Sequence, residues 1–304
     1  MKLLLLVGLL SVWIFSGAAM GLEVVCTTGM VGDMVRFVAG ERAKVSVLMA
    51  DGIDPHLYKP TRDDVAKMLK ADVVFYSGLH LEGRMDETFE KIAKRKIAVA
   101  AVTENISPDK LLKAGTVTDP HLWMDPALWA ECVETVRNTL AAKDSAGEAV
   151  FRANADRYTK ELNNLSVEMK QLIATIPDEQ RLLITAHDAF QYFSRATGLA
   201  VSSIQGLSTV SEAGVADINR LVDLIVKRRI PAIFVESTLS EKNVRAVIEG
   251  AKARGQDVRL GGMLYSDSMG DAGTPTGSYS GMIQHNVKTI TEALGGSVSG
   301  GVKP

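Results

Sequence analysis

Between Glu148 and Ile176 the chain runs for a long stretch with no glycine or proline, and Pro177 closes it. Phe151, Ala155, Tyr158, Leu162, Leu165, Met169, Leu172 and Ile176 recur in steps of four and three. That spacing places an unbroken apolar seam on one face of a helix, with Lys160, Glu161, Glu168 and Lys170 elsewhere. At 1.5 Å per residue such a helix spans roughly 45 Å. A seam of this length has to be covered, either by a second copy in a coiled coil or by the rest of the same chain.

The flanking segments favour cover from within. Before the helix, Val24–Thr27, Val45–Met49, Val73–Tyr76 and Ile97–Val102 are short β-branched runs, separated by helix-like stretches such as Arg62–Lys70 and Met85–Lys94. After it, Leu182–Thr185, Val201–Ile204, Ile233–Val235 and Val258–Leu260 repeat the rhythm. Strands alternating with helices imply βαβ crossovers. The expected fold is α/β: two βα lobes, each with a mostly parallel four-stranded sheet and four helices, joined by one long backbone helix. The divisions are a lobe over 22–143, a linking helix over 144–177, a second lobe over 178–296, and a disordered Gly/Ser-rich tail over 297–304. A single stiff helix is a poor hinge, so lobe motion is expected to be confined to small tilts and loop shifts.

Lys2, the apolar run Leu3–Phe15 and the small residues Gly17, Ala18 and Ala19 read as a secretory signal over residues 1–21, cleaved near Ala19 to Gly21. The run is shorter than the ~20 residues of a comfortable membrane span, so an uncleaved anchor is the lesser alternative. Cys26 follows Glu23, Val24 and Val25, the wrong context for lipid attachment. A soluble, periplasmic mature chain is expected. Loss of Lys2 takes the formal net charge from −2 to −3, which gives no electrostatic basis for nucleic-acid binding. Cys26 and Cys132 are the only cysteines; an exported chain permits a disulfide, but two isolated residues form no framework.

Five histidines carry the chemistry: His56, His80, His121, His187 and His285. Two close the same tripeptide, Asp54-Pro55-His56 and Asp119-Pro120-His121, each in a loop that follows a strand. Loops after parallel strands collect on one sheet edge, where ligands bind, and proline stiffens the backbone just before each imidazole. His187 follows the Leu182–Thr185 strand at the equivalent edge of the second half. After the last strand, Asp267 and Asp271 are both candidates for a fourth coordinate, and position alone does not choose between them. Three imidazoles and a carboxylate suit a borderline ion such as Zn²⁺, and Mn²⁺ accepts the same set. The ligands are dispersed, with no His-Glu-x-x-His pattern.

Gly52-Ile53-Asp54-Pro55-His56, Ser77-Gly78-Leu79-His80-Leu81-Glu82, Asp119-Pro120-His121-Leu122-Trp123, Thr185-Ala186-His187-Asp188-Ala189-Phe190 and Tyr265-Ser266-Asp267-Ser268-Met269-Gly270-Asp271-Ala272-Gly273 stand in this order. Together they resemble the zinc/manganese solute-binding proteins of ABC importers, the TroA-like group, over about residues 22–294. The resemblance implies His56, His121, His187 and Asp267 as metal ligands, and it is what selects Asp267 over Asp271. It also sets aside His80 and His285. Zinc-dedicated relatives often carry a long His/Asp-rich loop in the first lobe, whereas Ser107–Thr118 here is short and lacks histidine. Manganese-selective relatives often place a carboxylate where this chain has His187, and a third imidazole leans towards zinc.

The implied function is an exported, monomeric receptor that clamps Zn²⁺ or Mn²⁺ between its lobes and delivers it to an ABC-type membrane permease, with no catalysis. The rival from another class is a secreted zinc-dependent hydrolase, for which Glu236 and Glu212 are the candidate general bases. A catalytic zinc needs an open coordination position, which four protein ligands would close.

Overall fold

A computed structural model describes residues 21–298. The signal expected before Gly21 and the tail after Val298 lie outside the described residues. At the start of the expected tail, the Ser297 N–H donates to Thr175 Oγ1 at 2.9 Å, so this residue is tied to the end of the long helix. No helix among the described residues is long and apolar enough to cross a membrane.

The first half runs β1 (Leu22–Cys26), α1 (Gly29–Ala39), β2 (Ala43–Val47), α2 (Arg62–Met68), β3 (Val73–Tyr76), α3 (Asp86–Ala93) and β4 (Ala98–Ala101). A hairpin of β5 (Lys113–Ala114) and β6 (Val117–Thr118) and then α4 (Pro126–Lys143) complete it. After the long α5 (Glu148–Ile173) come β7 (Leu182–Thr185), α6 (Gln191–Thr197), β8 (Ala200–Ser203) and α7 (Val215–Arg228). The chain continues through β9 (Ala232–Glu236), α8 (Lys242–Ala253), β10 (Arg259–Leu264) and α9 (Tyr279–Ala293).

The first sheet is wholly parallel in the order β2-β1-β3-β4, with Cys26 opposite both Val47 and Phe75. Cys26 and Cys132 are free thiols, both fully buried. The second half departs from a single four-stranded ladder. Its hydrogen bonds form two parallel pairs, β7–β8 and β9–β10, with β7 lying beside β9. At the loop end the bridge between β7 and β9 is made by a side chain, since Glu236 accepts the His187 N–H. The hairpin was not anticipated. Its two-residue connection, Gly115-Thr116, carries a positive φ of 62° at Gly115, the geometry that primed hairpin turns demand.

Helix α5 spans 26 residues, roughly 40 Å, slightly less than the pattern predicts. Its seam faces α1 and α4 of the first half and α9 of the second, so the cover comes from within the chain and not from a coiled-coil partner. At its C-terminal end Ile173 is fully buried while Leu172 is only half-buried. A straight helix drifts about 20° per heptad against a strict seven-residue repeat, which moves the last seam position by one residue. The core along α5 is continuous with Leu183, Phe190, Tyr192 and Phe234 of the second half. Leu162, at the middle of the seam, is fully buried. Leu162→Ala should destabilise the protein by about 2–5 kcal/mol through lost burial and a residual cavity, read from the denaturant midpoint at unchanged slope.

Candidate metal centre

The strand-following loops of both halves converge on one edge, and each delivers one side chain. In the loop after β2, Asp54 Oδ1 accepts the His56 N–H at 2.8 Å, closing a local turn that Pro55 stiffens. In the second Asp-Pro-His, Asp119 Oδ1 lies 2.9 Å from the His121 N and 2.8 Å from His121 Nδ1. His187 leaves β7 with its N–H on Glu236 Oε1 at 2.8 Å and its Nδ1 2.5 Å from Glu236 Oε2. A carboxylate that takes the Nδ1 proton fixes the tautomer and leaves Nε2 as the ligating atom. Asp267 follows β10, and the neighbouring Ser266 carbonyl accepts the Trp123 indole N–H at 2.8 Å. Trp123 also lies edge-on to the His121 ring, 5.3 Å between centroids, so one indole contacts a first-half ligand candidate and the second-half backbone beside Asp267.

The Nε2 atoms of His56 and His121 stand 3.2 Å apart, and those of His187 and His121 3.3 Å. Asp267 oxygens lie 3.2 Å from His187 Nε2, 3.4 Å from His121 Nε2 and 3.6 Å from His56 Nε2. One ligand-type atom from each of the four residues falls within 4.8 Å of the other three. Both carboxylate oxygens of Asp267 are buried and lack a well-aligned hydrogen bond, although imidazoles are near. The groups point at a shared centre in preference to one another. A buried carboxylate left in this condition is costly unless a charge occupies that centre.

The electrostatics agree. Burial pushes His56 down to about 4, against the pull of Asp267. Burial also opposes the charged form of His121, but its hydrogen bond to Asp119 and the nearby Asp267 carboxylate outweigh this and raise it to about 9. His187 is likewise raised, burial being overcome by the charges of Glu236 and Asp267. Burial would raise Asp267, yet His187 and His121 hold it well below the usual carboxylate range.

The structure brings His56, His121, His187 and Asp267 together and leaves the other candidates outside. Asp271 is exposed in a turn, its carbonyl accepting the Thr274 N–H. His80 is exposed beside Asp86, and His285 on α9 lies near the Met263 carbonyl. Glu82 of the Gly-Leu-His-Leu-Glu segment is buried and accepts from Thr27 and from the N–H groups of Ser77 and Gly78, a structural role. Glu212 is exposed on a loop, and Glu236 is engaged by His187. Sequence reasoning weighed Glu236 as a base and favoured a structural or supporting role, without naming His187 as its partner. The parts played by Asp54 and Asp119 were also missed, though an Asp two residues before each His was the available signal.

Comparison with known proteins gives a consistent result. The description of the ZnuA family, zinc-uptake complex component A, periplasmic, matches residues 24–293. The chain is 45% identical over 275 residues, 90% of each chain, to the manganese-binding lipoprotein MntA of Bacillus subtilis. It is 42% identical over 272 residues to the zinc-binding protein TroA of Treponema pallidum, covering 89% of this chain and 88% of TroA. The solved structure of periplasmic TroA from Treponema pallidum superposes with a TM-score of 0.88 at 41% identity, over 90% of this chain and 99% of that one. That of Fe(III)-bound YtgA from Chlamydia trachomatis gives 0.81 at 30% identity, over 91% and 99%. These relatives are binding proteins and lend the hydrolase alternative no support. With its two βα halves, its backbone helix and a match running through nearly all the described residues, the chain belongs to the ZnuA family of metal-uptake binding components.

Proposed function

We propose that this protein is an exported receptor that captures Zn²⁺ or Mn²⁺ between its two lobes and hands it to an ABC-type membrane permease. The observation that carries the reading is the convergence of three imidazole nitrogens and one carboxylate from both halves within 4.8 Å. His56 and His121 come from the first lobe, over 22–143, and His187 and Asp267 from the second, over 178–296. The ion is cargo, and the names of the relatives support both metals. Four protein ligands leave no open coordination position for a hydrolytic water, in keeping with a carrier.

The protein acts as a periplasmic monomer after loss of a signal over residues 1–21. Cys26 supports a chain not lipidated at that residue, being fully buried in the centre of a sheet. Neighbouring carboxylates raise the affinity of His121 and His187 for protons, so an entering dication competes with protons at this site. The test is elemental analysis of the protein lacking residues 1–21 after loading with equal Zn²⁺ and Mn²⁺. One tightly held ion per chain is expected; a protein that retains neither metal would sink the proposal.

A further inference from the structure

The two Asp-Pro-His tripeptides are alike in sequence and differ in what their aspartates do. Asp119 spends one oxygen on its own histidine, taking both the backbone N–H and Nδ1 of His121. Asp54 takes only the His56 backbone N–H, with Oδ1. Its other oxygen, Oδ2, reaches across to the second lobe and accepts the Thr209 hydroxyl at 2.6 Å. The Thr209 side of the bond is sheltered, the residue being 7% exposed.

The same first-lobe loop grips the second lobe at two more points. The Gly52 N–H donates to Ser268 Oγ at 2.7 Å, and Asp51 Oδ2 accepts the Ala272 N–H at 3.2 Å. Both of these lie on the Asp267 loop. The Asp54–Thr209 bond is the one that engages the loop between β8 and α7. That loop forms a wall of a cleft of about 210 Å³ which reaches His56, with Leu79, His80, Val117, Leu207 and Val210 among its lining. His56 is also the least buried of the four converging residues, at 7% against 0% for His121 and His187 and 2% for Asp267. The way from solvent to the centre therefore passes His56, between the two loops that Asp54 and Thr209 hold together. Helix α5, gripped along its length by both halves, is ill-suited to wide hinge opening, which leaves loop displacement as the way out.

We propose that the Thr209–Asp54 hydrogen bond is the latch of this exit: it holds the His56 loop against the second lobe, and its rupture is the step that frees His56 and releases the ion. Thr209 is thus a positioning residue that acts on the metal through Asp54 and His56. The inference rests on the metal-receptor reading above. It adds an order of events, with His56 last to close and first to let go.

The test is the rate at which a chelator strips Zn²⁺ from loaded protein. Thr209→Val keeps the side-chain shape and removes the donor; it should release Zn²⁺ about ten-fold faster, the scale of one hydrogen bond to a charged group. Thr209→Ser should restore the wild-type rate, which a mere packing role for the threonine would not allow. Adding Thr209→Val to Asp54→Ala should give no further acceleration, since both changes break one interaction. Release from Thr209→Val at the wild-type rate overturns the latch, as does release from Thr209→Ser as fast as from Thr209→Val. If Thr209→Val does not fold, Thr209→Ala compared with Thr209→Ser decides the matter by the same criterion. Wild-type protein that binds no Zn²⁺ would refute the receptor reading itself, a result distinct from any of these.

Discussion

His187→Ala should lower metal affinity about a hundred-fold or more. Structural four-ligand zinc sites bind with about 10–16 kcal/mol, so one ligand of four carries roughly 3 kcal/mol. The loss is compounded here because Glu236, which takes both the backbone N–H and Nδ1 of His187, would keep only the backbone contact in a buried setting. Competition against a chelator of known affinity measures the effect. Affinity within a few-fold of wild type would mean that the second lobe does not supply a nitrogen ligand, leaving Asp267 as its sole contribution to the site. Glu236→Gln is the companion variant; loss of an orienting carboxylate costs about 10–100-fold at a metal site, a smaller effect that separates ligation from orientation.

The second large effect is on pH. A metal can occupy Nε2 only after any proton there has left, so each proton displaced makes affinity rise about ten-fold per pH unit. His56, pushed down to about 4, carries no proton to displace at neutral pH. His121, raised to about 9, and His187, also raised, do carry them. The sign follows: below the raised pKa the metal-free site is protonated and affinity climbs with pH, and the climb due to His121 levels off above about pH 9. From pH 6 to pH 8, affinity should increase about 10²-fold if one proton is displaced and about 10⁴-fold if two are. Titration calorimetry in buffers of differing ionisation enthalpy counts the protons directly. An affinity flat over this range would contradict the upward shifts that the neighbouring carboxylates give His121 and His187.

The parts of this site differ in how far the amino-acid sequence discloses them, and the differences have physical causes. The repeated Asp-Pro-His announces His56 and His121 because local turn chemistry is written in adjacent residues. His187 is visible from its place after a strand, since parallel βα units send such residues to one edge. Asp267 is not visible in this way: a loop aspartate usually serves its own backbone, and only resemblance distinguished it from Asp271. What joins residues distant in the chain stayed hidden. Thr209 lies 155 positions from Asp54, and Glu236 lies 49 from His187; no periodicity encodes either contact. The fold shows the same division. The α5 seam was legible because its period is local, whereas the exchange of Leu172 for Ile173 depends on accumulated helical drift. The splitting of the second ladder into two pairs depends on strand partners that the order of elements does not specify.

The seam of α5 has a further consequence. Each half has a small buried cluster of its own, but the apolar face of α5 is shared by helices from both halves, and Leu183 and Phe234 belong to the same main core as Phe75 and Trp129. Cutting the chain on either side of α5 would leave one fragment with a stripped helix and the other with an uncovered face. A core shared in this way couples the two halves, so an ion bound between them is expected to raise the unfolding free energy of the chain through mass action. Heat resistance and cargo occupancy are thus linked, and the loaded receptor is the more durable form.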